Sequence, residues 1–227
     1  VVTLEPCNHH GRTPPCRQAL LDAGIARVLI ALIDPTSREE GGAARLAAAG
    51  VDVEIGLLAD SARTVLRPWL HSLDTGRPYV TWLYEVDAEG RALTASETMR
   101  TLYRTTTDVV LDEAGHLSEG VSAGHGKDAF AIPAMTVDEP AQLLAALHEG
   151  GTRSLLLATS PRTAQRFLEA GLIDATTFHV PHPARPTTNT GEAALVYDAF
   201  VIDRVERHGD HLRCDTTVLL PRIGDQT

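Results

Sequence analysis

The sequence predicts an α/β protein built from two layered domains. Three observations carry this. Short apolar segments such as Ala26–Ile33 alternate with helical segments such as Glu40–Ala49 throughout the first third of the chain. Helix punctuation is in place, with Pro15, Pro140 and Pro161 at starts and Gly24, Gly50 and Gly171 at ends. A turn-rich break, Asp74-Thr75-Gly76-Arg77-Pro78, separates two such runs.

The elements follow in order. Val1–Leu4 is a strand, and Glu5–Pro14 a loop rich in His, Gly and Pro. Pro15–Ala23 is a helix, Ala26–Ile33 a strand closed by Asp34-Pro35, Glu40–Ala49 an Ala-rich helix, Val51–Ile55 a strand and Ala59–Leu73 a helix. This is the strand–helix alternation of a layered α/β domain, and it places a first domain at residues 1–75 and a second at 76–227. The second opens with a strand at Tyr79–Tyr84. A helix at Thr94–Arg104, a strand at Asp108–Leu111 and a Gly-rich loop at Leu117–Asp128 follow. Next come a helix at Pro140–Glu149, a strand at Ser154–Ala158, a helix at Pro161–Ala170 and a strand at Thr176–Val180. Pro181–Gly191 reads as a long loop. Phe200–Arg207 and Leu212–Leu220 pair as a hairpin across His208-Gly209-Asp210.

Bulk properties exclude several classes of function. The chain has 227 residues, 43% hydrophobic and 22% charged, with a net charge of −10. Such an excess of acid repels a nucleic-acid backbone. No apolar run has membrane-spanning length and no signal peptide opens the chain, so a cytoplasmic protein with no membrane partner is expected. Three cysteines suit a reducing compartment better than a disulfide framework. The opening Val1-Val2-Thr3-Leu4 looks like the inside of a core strand, which reads as a fragment, a trimmed chain or a wrongly started gene product.

The stretch Pro6-Cys7-Asn8-His9-His10-Gly11-Arg12-Thr13-Pro14-Pro15-Cys16 carries the chemistry. One cysteine ends a strand and the other sits just inside a helix, where thiolate is favoured. A loop of Pro and Gly can return the second sulfur to the first. Two buried, unpaired thiols beside a solvated loop are the plainer alternative. The flanking prolines favour a metal, and zinc in a catalytic site needs a third protein ligand plus an open position.

Thr3-Leu4-Glu5-Pro6-Cys7 through Pro14-Pro15-Cys16, with the Ala19–Pro35 segment and the Ala48–Val53 run, resembles the bifunctional riboflavin-biosynthesis deaminase/reductase family. The resemblance implies the C-terminal part of a cytidine-deaminase-like three-layer domain, followed by a dihydrofolate-reductase-like α/β domain. It implies Cys7 and Cys16 as zinc ligands and Asn8, His9 and Arg12 along the substrate side of the loop, with Arg12 toward a ribose phosphate. An arginine's fixed fork of donors suits that ligand. The implied reaction is zinc-dependent hydrolytic deamination of a phosphoribosylated diaminopyrimidinone, a small phosphorylated pyrimidine, by a homodimer. The family's His-Ala-Glu segment, with the third ligand and the proton-shuttling Glu, is expected upstream of Val1, because only six residues precede Cys7.

The second domain departs from the family's chemistry. Leu83 stands where the resemblance implies a lysine, Asp112-Glu113-Ala114-Gly115-His116 where a polar cofactor turn is implied, and Ala158-Thr159-Ser160-Pro161 where a glycine nest is implied. NADPH is therefore not expected to bind, and the reductase half is expected to be inactive. Arg104 has two readings, a substrate-binding arginine and an exposed helix residue. Two alternatives stand beside the deaminase: a non-catalytic assembly or binding module, and an NADPH-dependent pyrimidine ribosyl reductase.

Overall fold

A computed structural model describes residues 1–10, 14–37, 40–121, 129–134, 138–181, 200–209 and 211–218. The chain divides into two compact units, Val1–Leu70 and His71–Thr227.

The first unit comprises strand β1 (Val2–Leu4), helix α1 (Cys16–Asp22), strand β2 (Arg27–Leu32), helix α2 (Gly41–Ala48), strand β3 (Asp52–Ile55) and helix α3 (Ala59–Thr75), within which the division falls. The three strands are parallel, in the order β1-β2-β3, with Val2 opposite Ile30 and Leu4 opposite Leu32. Parallel neighbours need helical crossovers, and α1 and α2 supply them. Val28, Ile30, Ala43, Leu46 and Val51 form the core, with Leu20 and Leu21 of α1 packed against it.

The second unit holds strand β4 (Tyr79–Val86), strand β5 (Ala92–Thr94), helix α4 (Glu97–Tyr103), strands β6 (Val109–Leu111) and β7 (Leu117–Glu119), helix α5 (Pro140–Glu149), strand β8 (Ser154–Leu157), helix α6 (Pro161–Glu169), and strands β9 (Ala175–Pro181), β10 (Phe200–His208) and β11 (His211–Val218). They form one sheet in the order β10-β11-β9-β4-β8-β6-β7, with β5 also on β4. Strand β4 runs parallel to β8 and β9 and is buried on both faces, as the near-continuous apolar run YVTWLYEV requires. Val80, Trp82 and Tyr84 face α5 and α6, where Trp82 stacks on Tyr84 at 4.3 Å and Tyr84 on Phe178 at 5.1 Å. Leu83 faces the opposite way and joins Met99 and Tyr103 of α4. Pro140 and Pro161 open α5 and α6, and the Ser160 hydroxyl caps α6 by accepting from the Thr163 amide at 3.4 Å.

Two strands lie where the sequence reads otherwise. Ala92–Thr94, assigned in part to a helix, is strand β5, because the Asp87 carboxylate accepts from the Glu89 and Arg91 amides at 3.0 and 2.8 Å and closes a hairpin onto β4. Leu117–Glu119, read as the start of a loop, is strand β7. The turn from β6 is closed by Asp112 accepting from the His116 amide at 2.9 Å. Most of the Pro181–Gly191 loop lies outside the described residues.

Candidate functional site

The loop between β1 and α1 begins with two buried residues, Glu5 and Pro6. The Glu5 amide extends the sheet by donating to the Leu32 carbonyl at 2.8 Å, so the register of β1 on β2 carries to the residue just before Pro6. Cys7 is half-buried and Cys16 exposed. The Cys16 amide donates to Cys7 Sγ at 3.2 Å, and the Arg17 amide donates to the Cys7 carbonyl at 3.3 Å. The loop thus returns the first turn of α1 onto Cys7, as a shared metal site requires. The hydrogen bond with the Cys7 thiol raises the pKa of Cys16 above the ordinary thiol value, and burial and the nearby Cys7 charge add to this. Cys7 thus opposes the ionisation of Cys16, and a cation between the two removes that opposition. The donor set therefore fits a thiophilic ion such as zinc. Among the described residues, no third His, Cys, Asp or Glu completes a metal-binding group with them.

The other sequence-predicted residues separate. Asn8 lies beside the cysteines, and its side-chain oxygen accepts from the Arg17 guanidinium. His9 and His10 are exposed; the His9 carbonyl lies 4.0 Å from Cys7 Sγ. Arg12 lies outside the described residues. Arg104, in the second unit, is half-buried and donates to the Glu119 carbonyl at 2.6 Å. It borders a cavity of about 290 Å³ with Glu97, Arg100, Asp112 and Glu113. This hydrogen bond ties Arg104, at the start of a single helical turn after α4, to the end of β7.

Sequence reasoning missed Glu5, Ser37 and Arg17. Glu5, 5% exposed, accepts from the Ala43 amide at 2.8 Å, the Ser37 hydroxyl at 2.7 Å and the Asp34 amide at 3.3 Å. An acid directly before Pro-Cys, at the end of an apolar strand, was the available signal. A cavity of about 520 Å³ borders Glu5, Ser37, Gly41, Val53 and Ile55, and none of Cys7, Asn8, His9 and Cys16 lines it.

No family model matches the chain. The riboflavin biosynthesis protein RibD of Mycobacterium tuberculosis is 39% identical over 137 residues, which is 60% of this chain and 40% of that protein. RibD of Escherichia coli K12 is 45% identical over 96 residues, 42% of this chain and 26% of that protein. The chain is RibD-like. It spans 40% or less of the length of these two RibD proteins. Among solved structures, the Thermotoga maritima diaminohydroxyphosphoribosylaminopyrimidine deaminase/5-amino-6-(5-phosphoribosylamino)uracil reductase superposes with a TM-score of 0.68 at 19% identity, covering 96% of the RibD-like chain and 79% of the other. Acinetobacter baumannii RibD gives 0.67 at 22% identity, covering 96% and 80%. These likenesses establish the fold, a deaminase-like domain followed by a reductase-like one. Among the described residues no helix is long and apolar enough to cross a membrane.

Proposed function

We propose that the first unit carries the two-thiolate side of a zinc-dependent pyrimidine deaminase site of riboflavin biosynthesis, and that the second unit is a reductase-like domain without reductase chemistry. The observation that carries the first part is the contact of the Cys16 amide with Cys7 Sγ across a nine-residue separation. Cys7 and Cys16 would hold the metal. Zinc bound there would supply a hydrolytic nucleophile at neutral pH. Asn8, oriented by Arg17, presents an amide beside the thiols for the polar edge of a pyrimidine ring. Arg12 is the candidate for the phosphate of the ribosyl group. A third ligand would come from outside the described residues, and so would the proton-shuttling carboxylate that the family resemblance implies.

For the second unit, the reading is supported by Asp112 and Glu113, which border the cavity beside Arg104 and would repel a polyanionic cofactor entering it. Arg100, the other basic side chain there, is paired with Glu97. One set of measurements on the full-length natural protein tests both halves. Zinc is expected to bind with a stoichiometry near one and to disappear in Cys7→Ser or Cys16→Ser. A phosphoribosylated diaminopyrimidinone is expected to lose its amino group, and NADPH fluorescence titration is expected to stay flat. Equal zinc content in wild type and both serine variants would overturn the first half, and micromolar NADPH binding would overturn the second.

A further inference from the structure

The zinc reading leaves Glu5 without a role, yet its carboxylate accepts from three donors. Its carboxylate is buried two residues before Cys7 and gathers donors from two separate places: Asp34 and Ser37 in the β2–α2 connection, and the Ala43 amide in the first turn of α2. Those segments close on it without slack. A Cβ added to Gly41 would stand 2.5 Å from Glu5 Oε1, and one added to Gly42 would stand 1.8 Å from the Pro6 carbonyl oxygen. Gly41 also takes a φ of +72°, which favours glycine at that position.

A buried carboxylate is a poor way to gain stability, since an apolar side chain fills the same space without desolvating a charge. What the carboxylate adds is direction, because its oxygens accept only where the donors point. On one side Glu5 and Pro6 are pinned to α2 and the β2–α2 connection. On the other, Cys7 receives the Cys16 and Arg17 amides. We propose that Glu5 is a positioning residue that fixes the Pro6-Cys7 backbone so that Cys7 Sγ stays within joint reach of Cys16 for one thiophilic ion. This rests on the reading of Cys7 and Cys16 as one site.

The test uses the full chain, free of metal and reduced, with phenylarsine oxide as the probe. That reagent bridges two thiols only when they are close, and the remaining cysteine, Cys214, is buried in the other unit. Wild type is expected to capture one arsenical per chain. Glu5→Ala should weaken capture about tenfold or more, the scale seen when support behind a metal ligand is removed. Glu5→Gln keeps one acceptor for the Ala43 amide and should fall between. Leu46→Ala, a core truncation remote from the loop, controls for general loosening of the unit and should capture like wild type at a temperature where both are folded. Ser37→Ala, which removes one donor to Glu5, carries the test if Glu5→Ala does not fold, and should weaken capture in the same direction. Capture unchanged in the Glu5 and Ser37 variants, weakened equally by Leu46→Ala, or absent from wild type overturns the proposal. Zinc competition on the same samples separates the two ideas. Wild type that captures the arsenical but not zinc removes the zinc reading and leaves Glu5 in its role. Zinc bound equally by wild type and Glu5→Ala removes Glu5 from its role and leaves the zinc reading.

Discussion

Glu5 in the first unit and Asp174 in the second do the same mechanical task with different consequences. Each is a carboxylate at a strand end that collects donors from separated segments. Asp174 receives both guanidinium nitrogens of Arg77 at 2.7 Å and the Val80 amide at 2.8 Å, and lies 3.5 Å from His71 Nε2. That network ties the entry of β4 to the entry of β9, where the next residue but one is Thr176, whose hydroxyl pairs with that of Thr216 inside the sheet. Glu5 ties β1 to α2, and the next residue but one is Cys7. The device is general, and its meaning comes from what the chain attaches to it. A buried acid with several donors is evidence that a backbone is held, and only the neighbouring residues say what it is held for.

The largest effect that can break this comparison is expected at Asp174. Both partners are mostly buried, with Arg77 side-chain exposure at 19% and Asp174 at 13%, so removing one leaves the other desolvated and unpaired. Asp174→Ala is expected to destabilise the second unit by about 3–5 kcal/mol in urea unfolding, with arsenical or zinc capture by the first unit unchanged in the folded protein. The double variant Arg77→Met with Asp174→Leu should recover much of that loss, because it removes both charges at once. A single-variant loss below about 1 kcal/mol would mean that the pair is solvated in practice and that Asp174 is no counterpart of Glu5.

A middle-sized effect is expected at Gly42. Its added Cβ meets backbone rather than a flexible side chain, so either the Pro6 carbonyl or the first turn of α2 must move. Gly42→Ala is expected to cost about 1–3 kcal/mol, as overpacking does elsewhere, and to weaken capture at Cys7 and Cys16 together with stability. Stability lost with capture intact would show that the contact serves packing alone, and would bring the two units closer in kind than proposed here.

Much of the fold was legible because its signals are local. Pro140 and Pro161 mark helix starts, the apolar run from Tyr79 to Tyr84 marks a strand, and the loop from Cys7 to Cys16 runs from the end of a strand to the start of a helix, as expected. The missed pieces depend on contacts between distant residues or on turn chemistry too brief for periodicity to register. Strands β5 and β7 have three residues each. They exist because Asp87 and Asp112 close the turns before and because β4 and β6 offer edges, and neither cause shows in a three-residue pattern. Glu5 was passed over for a similar reason. Its partners lie 29 to 38 residues away, so the sequence displays the acid but not the donors. Arg17 is the reverse case. As a helix residue beside Cys16 it reads as solvated surface, and only the turn of the loop brings its guanidinium to Asn8.

The smallest expected effect sharpens the contrast through pH. His179 on β9 is fully buried, its Nε2 lies 3.0 Å from the Tyr103 hydroxyl, and its Nδ1 is buried with no hydrogen-bond partner among the described residues. Tyr103 on α4 has its pKa pushed up to about 12 by burial, so the hydroxyl keeps its proton across the neutral range. Burial lowers the His179 pKa, and His208 on β10 with Arg213 and His211 on β11 lower it further, while Glu85 on β4 opposes them. Glu206 on β10 and Asp215 on β11 complete the charged surroundings, acting on Tyr103 and Arg213. A histidine whose folded pKa lies below its unfolded value of about 6.5 binds its proton first in the unfolded chain. Stability is therefore full above that value and is lost as pH falls from there toward the folded pKa. His71 and His148 are shifted the same way, so the second unit as a whole should weaken in mild acid, whereas His9 and His10 of the first unit are exposed. Urea unfolding followed from pH 7.5 to 5.5 should show a falling free energy, and in His179→Gln the slope should be shallower by up to about 1.4 kcal/mol per pH unit, the value of one proton. Parallel slopes would mean that His179 reaches solvent before unfolding, and that it is held no more tightly than the exposed histidines of the first unit.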